Sequence, residues 1–553
     1  MRKYSILFVF VLSIVSLQAE LRERIYLQTD KQLYMAGELL WMKMFTTDTE
    51  GRLQDFSKIG YVELIADSLA ENQVKLDIRK GVAAGWMELS PMLPTGYYRL
   101  VAYTRHMQNE GEEVFFEKEI GIINPYLKDE DTIAETEKED MERKDNRIIS
   151  SEFLSTNRSS YGKRERGELK ITGLPIDDLS MVVSIAGLDP LFKSSATLTN
   201  WKASLSDIPQ KMLRDDFLPE YEGAVIEGRL IGVETGEQVK DVTVPTLLSF
   251  PGKDIQVYGG QINKEGKISF YTHQIAGKKE AVAVVPPSSE GNYQIDLFSP
   301  FAIHTKKEQS PLKISSHWHD YLEERALGVQ ITEAYTADSL SKVKTLPPYF
   351  NYKPYREYLL DEYTRFHYME EIFIEYILAA RIRKTGDKKR FSLLTEKMDG
   401  YATGQPLVLF DNIPVMNHQL MIDYNPLLVR KIDLYLGRYF FGGQIYDGII
   451  SFWSYNNNYP NITFDSSTQI FDYDGTQAYR YFYAPAYDQQ EISDRMPDFR
   501  HTLLWEPSLQ SEGKKELTLP FYTSDVSGTF LITVEGLGKN GTVYTATHTI
   551  EVE

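Results

Sequence analysis

The sequence predicts a multi-domain, mainly β protein, with several β-sandwich domains and one small α+β domain set among them. Three observations carry this. The chain has 553 residues, more than one core organises, so roughly three to five domains are expected. Its 36 Tyr and 27 Phe raise the aromatic share to 12%, and aromatic residues favour strands. Short apolar-aromatic runs punctuated by Gly and Pro recur along most of it, and helical periodicity is clear in only one place.

Arg2-Lys3 precede an apolar run, Ile6 to Leu17, followed by Gln18-Ala19-Glu20. This is the pattern of a secretory signal peptide, expected over residues 1–19. A first β-sandwich is expected over 20–125, where "SKIGYVELIA" and "GYYRLVAYTRH" are of strand length and Leu93-Pro94-Thr95-Gly96 marks a turn. Residues 126–148 are dominated by charge and read as a linker or exposed helix. "RGELKITGL" and "LSMVVSIAGL" place a second sandwich at 149–219, and a third is expected at 220–300, with a tight turn at Thr235-Gly236. A helical connector follows over 301–349.

In "MEEIFIEYILAA", Met369, Ile372, Phe373, Tyr376 and Ile377 form one apolar stripe at helical spacing. A hairpin, "ARIRK" to "KRFSLL" around Thr385-Gly386-Asp387, and further strands complete a compact α+β domain at 350–460. Residues 461–553 read as β again. In "TFLITVEGL", Phe530, Ile532 and Val534 share one face while Thr533 and Glu535 share the other, the pattern of a half-buried strand.

Composition removes several classes of function. A net charge of -19 disfavours nucleic acid and anionic lipid, both of which require basic patches. The chain has no cysteine, which excludes disulfides, zinc thiolates, a cysteine nucleophile and a thioether lipid anchor.

Three stretches resemble known families. "IYLQTDKQLYMAGELLWMKMF" resembles the opening domain of the α2-macroglobulin family, whose Thr-Asp-Lys-x-x-Tyr-x-x-Gly-Glu pattern is matched by Thr29, Asp30, Lys31, Tyr34, Gly37 and Glu38. Gly37 permits the turn, Tyr34 plugs the sandwich end, and Asp30 bonds nearby turn amides. "ELSPMLPTGYYRLVAYT" fits the same domain type. Near the far end, Phe499, Thr502, Trp505, Pro507 and Gly513 resemble another macroglobulin segment. Without cysteine, the thioester chemistry of that family is absent from this chain.

The third stretch, "GQPLVLFDNIPVMNHQLMIDYNPLLVRKIDLYLGRYFFGGQIYDGIISFWSY", is similar to the plug domain of TonB-dependent outer-membrane receptors. Pro406, Leu407, Val408, Asp411, Ile432, Gly448 and Ile449 match that pattern, with Asn412 in the place of a usual Gly. Too few residues follow to form a receptor barrel. The layout as a whole resembles secreted Bacteroidetes-type proteins that combine macroglobulin-like modules with a plug-like domain.

Candidate chemistry is sparse. His317, His319 and Asp320 in "SSHWHDY" offer a metal-like spacing only on a strand, and the stretch reads as a helix start capped by Ser316. Asp472 and Asp474 before Gly475 lack the further ligands of a calcium loop and read as an Asx turn. "YRYFYAPAYD", residues 479–488, is either a ligand surface or strand packing. Nucleophile-elbow, phosphate-loop, dinucleotide and zinc-protease motifs do not occur.

No catalytic, cofactor-binding or metal residue is therefore assigned, and no cofactor is expected. The expectation is a non-enzymatic binding or scaffold protein of the periplasm or outer-membrane periphery. The plug resemblance implies a TonB-dependent barrel as its partner. The macroglobulin resemblance implies an alternative, a thioester-free protease trap, and a hydrolase ranks last.

Overall fold

The computed structural model describes residues 21–127, 133–134, 151–189, 197–209, 211–286, 291–307, 312, 314–315, 318–336, 350, 352–386, 388–464, 468–488 and 497–553. The expected signal peptide and nearly all of the charged linker lie outside these. The chain divides into two compact units: Met1–Tyr221, Ala302–Lys344 and Gln477–Glu553 form one, Glu222–Phe301 and Thr345–Thr476 the other.

The first unit holds two β-sandwiches built to one plan. In the first sandwich, Arg24–Thr29, Leu39–Thr47 and Val82–Glu88 form a three-stranded sheet. Its second sheet runs Leu33–Met35, Phe116–Ile123, Gly96–Thr104, Ile59–Ala66, Leu69–Asp77. The sheets approach closely at Gly60, where an added Cβ would lie 2.4 Å from Met44 Sδ.

The second sandwich repeats this order strand for strand. Leu154–Thr156, Arg166–Ile171 and Leu517–Tyr522 form the three-stranded sheet. Ser160–Tyr161, Val543–Val552, Gly528–Gly538, Leu179–Gly187 and Thr502–Gln510 form the five-stranded one. The same short second strand makes the same parallel pairing with the last strand, Leu33 opposite Gly121 in one and Ser160 opposite Glu551 in the other. One difference separates the copies. Strands four and five are joined by a turn at Asp67-Ser68 in the first, and by residues 188–501 in the second.

This corrects the expected boundaries. Residues 149–219 do not close a sandwich and 461–553 do not form a separate domain. Thr502–Gln510 and Gly528–Gly538 flank Leu179–Gly187 in one sheet, so the two regions make a single discontinuous sandwich. Residues 461–476 belong to the other unit.

Strands that read as near-continuous apolar runs are buried on both faces. Arg24–Thr29 is buried at every position. One face points into its own sandwich. On the other, Tyr26, Trp41 and Phe45 join Val182, Trp201, Trp505 and Leu537 in a core between the sandwiches. The same seam covers the second face of "TFLITVEGL": Glu535, expected to face solvent, is 1% exposed. The connector contributes the helix His319–Thr336, whose Leu322 and Ala326 pack on Leu33, Met35 and Ile123 of the first sandwich.

The second unit combines a seven-stranded antiparallel arrangement with an α+β domain. Thr468–Asp474 pairs with Lys278–Val284 at the edge of the former. The α+β domain has the sheet order Arg356–Leu359, Val429–Tyr435, Ile449–Ser454, Leu407–Phe410, Ile413–Pro414, with one parallel pair at its centre. Helix Met369–Glu375 and the hairpin of Ala380–Thr385 with Lys388–Leu393 complete it. Met369, Ile372, Phe373 and Ile377 enter its core as the stripe predicts. The helix stops at Glu375, however, because Tyr376 leaves helical geometry at φ −140°. Among the described residues no helix is long and apolar enough to cross a membrane.

Candidate functional site

A cluster of buried polar groups lies in the seam between the two sandwiches, and it begins at the turn after the first strand. Asp30 is 5% exposed. Its Oδ1 accepts from the Tyr34 hydroxyl at 2.8 Å and from the Trp41 amide at 3.1 Å. Its Oδ2 accepts from the Thr502 hydroxyl of the second sandwich at 2.7 Å, and its carbonyl accepts from Ser184 at 2.8 Å. Burial raises the Asp30 carboxyl above its ordinary range, against the pull of Lys31 and these donors. Gly37 follows at φ +92°, in the left-handed region that favours glycine.

Charge is paired around this turn. Lys31 Nζ lies 2.8 Å from Glu38, whose side chain also bonds the Met35 amide. Burial would lift the Glu38 carboxyl, but Lys31 and Arg325 outweigh it and bring it down to about 2. Arg325 projects from the connector helix and is 1% exposed on its side chain. It donates to Asp189 at 2.5 Å and to the Leu33 carbonyl at 2.8 Å, and so links both sandwiches. Tyr321, one turn earlier, donates to the same Asp189 oxygen at 3.0 Å. Half-buried His501 is pushed down to about 3 by desolvation and by neighbouring Arg325, and stays neutral.

Further along the seam, Glu535 accepts from Tyr26 at 2.8 Å and from the Leu198 amide at 2.8 Å. Lys118 donates to Thr29 at 2.7 Å, and burial lowers it to about 8 against the attraction of Glu535 and Asp30. Lys43 is lowered by burial to about 7 and donates to Ser180 Oγ at 2.8 Å and to the Met181 carbonyl at 2.9 Å. A lysine beside a serine can activate it in an open cleft. Here both side chains are buried and the lysine is shared with a carbonyl, which is the geometry of a cross-brace.

Two small clefts open on this unit. One, of about 120 Å³, is lined by Asp30, Lys31, Lys118, Asp189, Thr533 and Glu535. The other, of about 70 Å³, is lined by Trp41, Tyr479, Arg480, Phe482, Trp505 and Glu506. Both fall well below the roughly 300–1,000 Å³ of small-molecule sites. What the arrangement does chemically is hold two sandwiches in register.

The residues singled out from sequence are scattered. His317 lies outside the described residues, and His319 and Asp320 open the connector helix. Asp472 and Asp474 lie within the edge strand Thr468–Asp474 and not in the Asx turn expected of them, opposite Glu280 and Lys278. The 479–488 stretch forms no strand. Phe482 packs edge-on against Trp41 and Arg480 sits over the Trp86 ring, while Tyr481 is exposed.

Sequence reading missed a second copy of the turn. Thr156-Asn157-Arg158, Tyr161 and Glu165 repeat Thr29-Asp30-Lys31, Tyr34 and Glu38 at a constant offset. The geometry repeats too: Tyr161 donates to Asn157 at 2.6 Å and the Glu168 amide donates to Asn157 at 2.9 Å. Arg158 pairs with Glu165 as Lys31 does with Glu38. The signal was present, but Asp had become Asn, Lys had become Arg, and the glycine had become Arg164.

No family model matches the chain, and no curated protein matches it. Among solved structures, Escherichia coli alpha-2-macroglobulin activated by porcine elastase aligns over 96% of this chain and 44% of its own, at 7% identity and TM-score 0.24. Salmonella alpha-2-macroglobulin reacted with methylamine aligns over 96% and 39%, at 9% identity and TM-score 0.23. Dimeric latent PorU from Porphyromonas gingivalis aligns over 96% and 34%, at 9% identity and TM-score 0.14. The chain thus spans less than half the length of these proteins.

Proposed function

We propose that this protein is a non-enzymatic scaffold in which a twin-sandwich base carries an inserted unit for recognition of a protein partner. The observation behind this reading is the position of the insertion. Residues 188–501 leave and re-enter the second sandwich between adjacent, hydrogen-bonded strands, Leu179–Gly187 and Thr502–Gln510. Both ends of the excursion are therefore fixed by one sheet, and buried ion pairs such as Arg325 with Asp189 and Lys31 with Glu38 brace the base. The plug resemblance of residues 404–455 favours a TonB-dependent barrel as the partner, at the periplasmic or outer-membrane periphery. Crosslinking followed by pull-down from outer-membrane fractions tests this. Recovery of such a barrel is the expected result, and recovery of the chain alone overturns it.

A second reading, a thioester-free macroglobulin-like trap, is favoured by the Thr-Asp-Lys-x-x-Tyr-x-x-Gly-Glu turn. Limited proteolysis separates the two. The scaffold is expected to be nicked slowly at several sites, whereas a single preferred cut with a large change in hydrodynamic radius would favour the trap.

A further inference from the structure

The chain returns to the first unit through residues 302–307, an extended strap laid on the first sandwich. Among the described residues, no backbone-to-backbone hydrogen bond holds it. Side chains hold it instead. The Ala302 amide donates to the Tyr103 hydroxyl at 2.7 Å, and Arg99 donates to the Thr305 carbonyl at 3.3 Å. The amide and hydroxyl of Thr305 donate to Glu112 at 3.0 and 2.7 Å.

At its centre is His304, whose side chain is 3% exposed. Nε2 lies 2.8 Å from Glu63 Oε1 and Nδ1 lies 3.0 Å from Glu112 Oε1. Each carboxylate already accepts from other donors. Glu63 takes the Tyr103 hydroxyl at 2.5 Å and the Gln73 amide at 2.6 Å, and Glu112 takes Thr305. Ionised carboxylates only accept, so both imidazole nitrogens must donate, and only the imidazolium donates from both. A neutral ring turns one of these contacts into a lone pair facing a carboxylate.

We propose that His304 is a protonation-dependent latch that fastens residues 302–307 to the first sandwich when charged and releases them when neutral. The groups facing the ring come from each element packed on it: Glu63 from Ile59–Ala66, Tyr103 from Gly96–Thr104, and Glu112 from the turn Glu112–Val114. Around them, Tyr61 donates to Glu220, Arg99 and Lys307 pair with Glu117, and Lys306 pairs with Asp67. The surplus near the ring is negative, and it favours the imidazolium. Burial opposes the charge on His304, yet the two glutamates outweigh burial and raise its pKa above the ordinary value. A folded-state pKa raised in this way gives stability that is complete below the free value of about 6.5 and lost as pH rises through the raised value. Each unit of elevation makes the docked strap about tenfold tighter below that range than above it. Glu112 is held below its usual range by Thr305 and His304 despite burial, so the latch also weakens in acid. It is tightest between about pH 4.5 and 6.5.

The test is hydrogen exchange of peptides covering residues 302–307 in the full chain, corrected for intrinsic rates, at pH 6.0 and 8.5. Protection of the strap is expected to fall between the two, with the seam strand Leu39–Thr47 unchanged. Glu112→Gln and His304→Gln are expected to show weak, pH-independent protection. Equal protection of the native strap at both pH values overturns the latch, as does a pH-dependent loss that survives in His304→Gln. A direct titration of the His304 ring by NMR gives a second check: an apparent pKa at or below 6.5 overturns the proposal even where the variants fail to fold.

Discussion

The two sandwiches of the first unit share one plan and use it differently, and the contrast is sharpest at the turn after their first strand. In the first copy, residues 29–38 face the other sandwich. Asp30 takes four contacts, two of them from Ser184 and Thr502 across the seam. In the second copy, residues 156–165 face outward. Arg158 and Glu165 are 59% and 32% exposed on their side chains, and Asn157 serves only its own turn. The internal hydrogen bonds define the fold and recur in both. The formal charge and burial of the first copy belong to assembly, because an ion is worth burying only where partners from both bodies satisfy it.

The largest expected effect breaks that contrast at its centre. Asp30→Ala leaves the Tyr34 hydroxyl, the Trp41 amide and the Thr502 hydroxyl without their acceptor in a buried seam. Its expected cost is about 4–5 kcal/mol. Asn157→Ala removes the equivalent acceptor where water replaces it, and is expected to cost about 1–2 kcal/mol. Chemical denaturation of both variants, followed by tryptophan fluorescence, measures the difference. Equal costs would mean that the seam contacts of Asp30 contribute nothing beyond the turn itself.

Much of this was legible in the sequence and some was not, for physical reasons. The first turn was readable because part of what its residues do is local: Tyr34 is fully buried and donates to Asp30, and Gly37 takes positive φ as its type suggests, although the amide that Asp30 accepts from is that of Trp41, in the strand after the turn. Alternation in "TFLITVEGL" correctly gave Phe530, Ile532 and Val534 to a core. It could not show that Glu535 would be buried on the other face, since the first sandwich lies hundreds of residues away in sequence. The second sandwich was invisible as one object because its fourth and fifth strands are separated by residues 188–501. The seam lysines, Lys43 and Lys118, carried no signal in the sequence, because nothing near them along the chain identifies their partners.

A smaller effect sharpens the comparison from the connector. Arg325 seats the helix His319–Thr336 on the first sandwich through Leu33 and reaches the second through Asp189. Arg325→Met keeps the stem volume and removes the charge, leaving buried Asp189 with Tyr321 alone. A loss of about 3 kcal/mol is expected. Hydrogen exchange over residues 319–336 should rise with it. A rise confined to the helix, with seam strands unaffected, would show that the helix reads the seam without holding it. A rise in both would make Arg325 a third fastener beside Asp30 and Lys43.

The smallest expected effect concerns the one position where the copies differ in backbone logic. Gly37 sits at φ +92°, and Gly37→Ala is expected to cost about 1–2 kcal/mol, the left-handed penalty of an L-residue. The second copy places Arg164 there at φ +56° and accepts that strain. Its guanidinium offsets it by gripping Asp525 in two places, Nε to Oδ1 at 2.7 Å and Nη2 to Oδ2 at 2.6 Å. The same group lies 5.4 Å from the centre of the Tyr487 ring. Arg164→Gly thus removes strain and an ion pair of similar worth, and its net change should stay within about 1 kcal/mol of zero. In an Asp525→Ala background the ion pair is already gone. There Arg164→Gly should stabilise by about 1 kcal/mol, because only the strain remains to be relieved. If it destabilises in that background instead, the arginine is retained for packing on Tyr487, and the ion pair is not what lets this copy dispense with glycine.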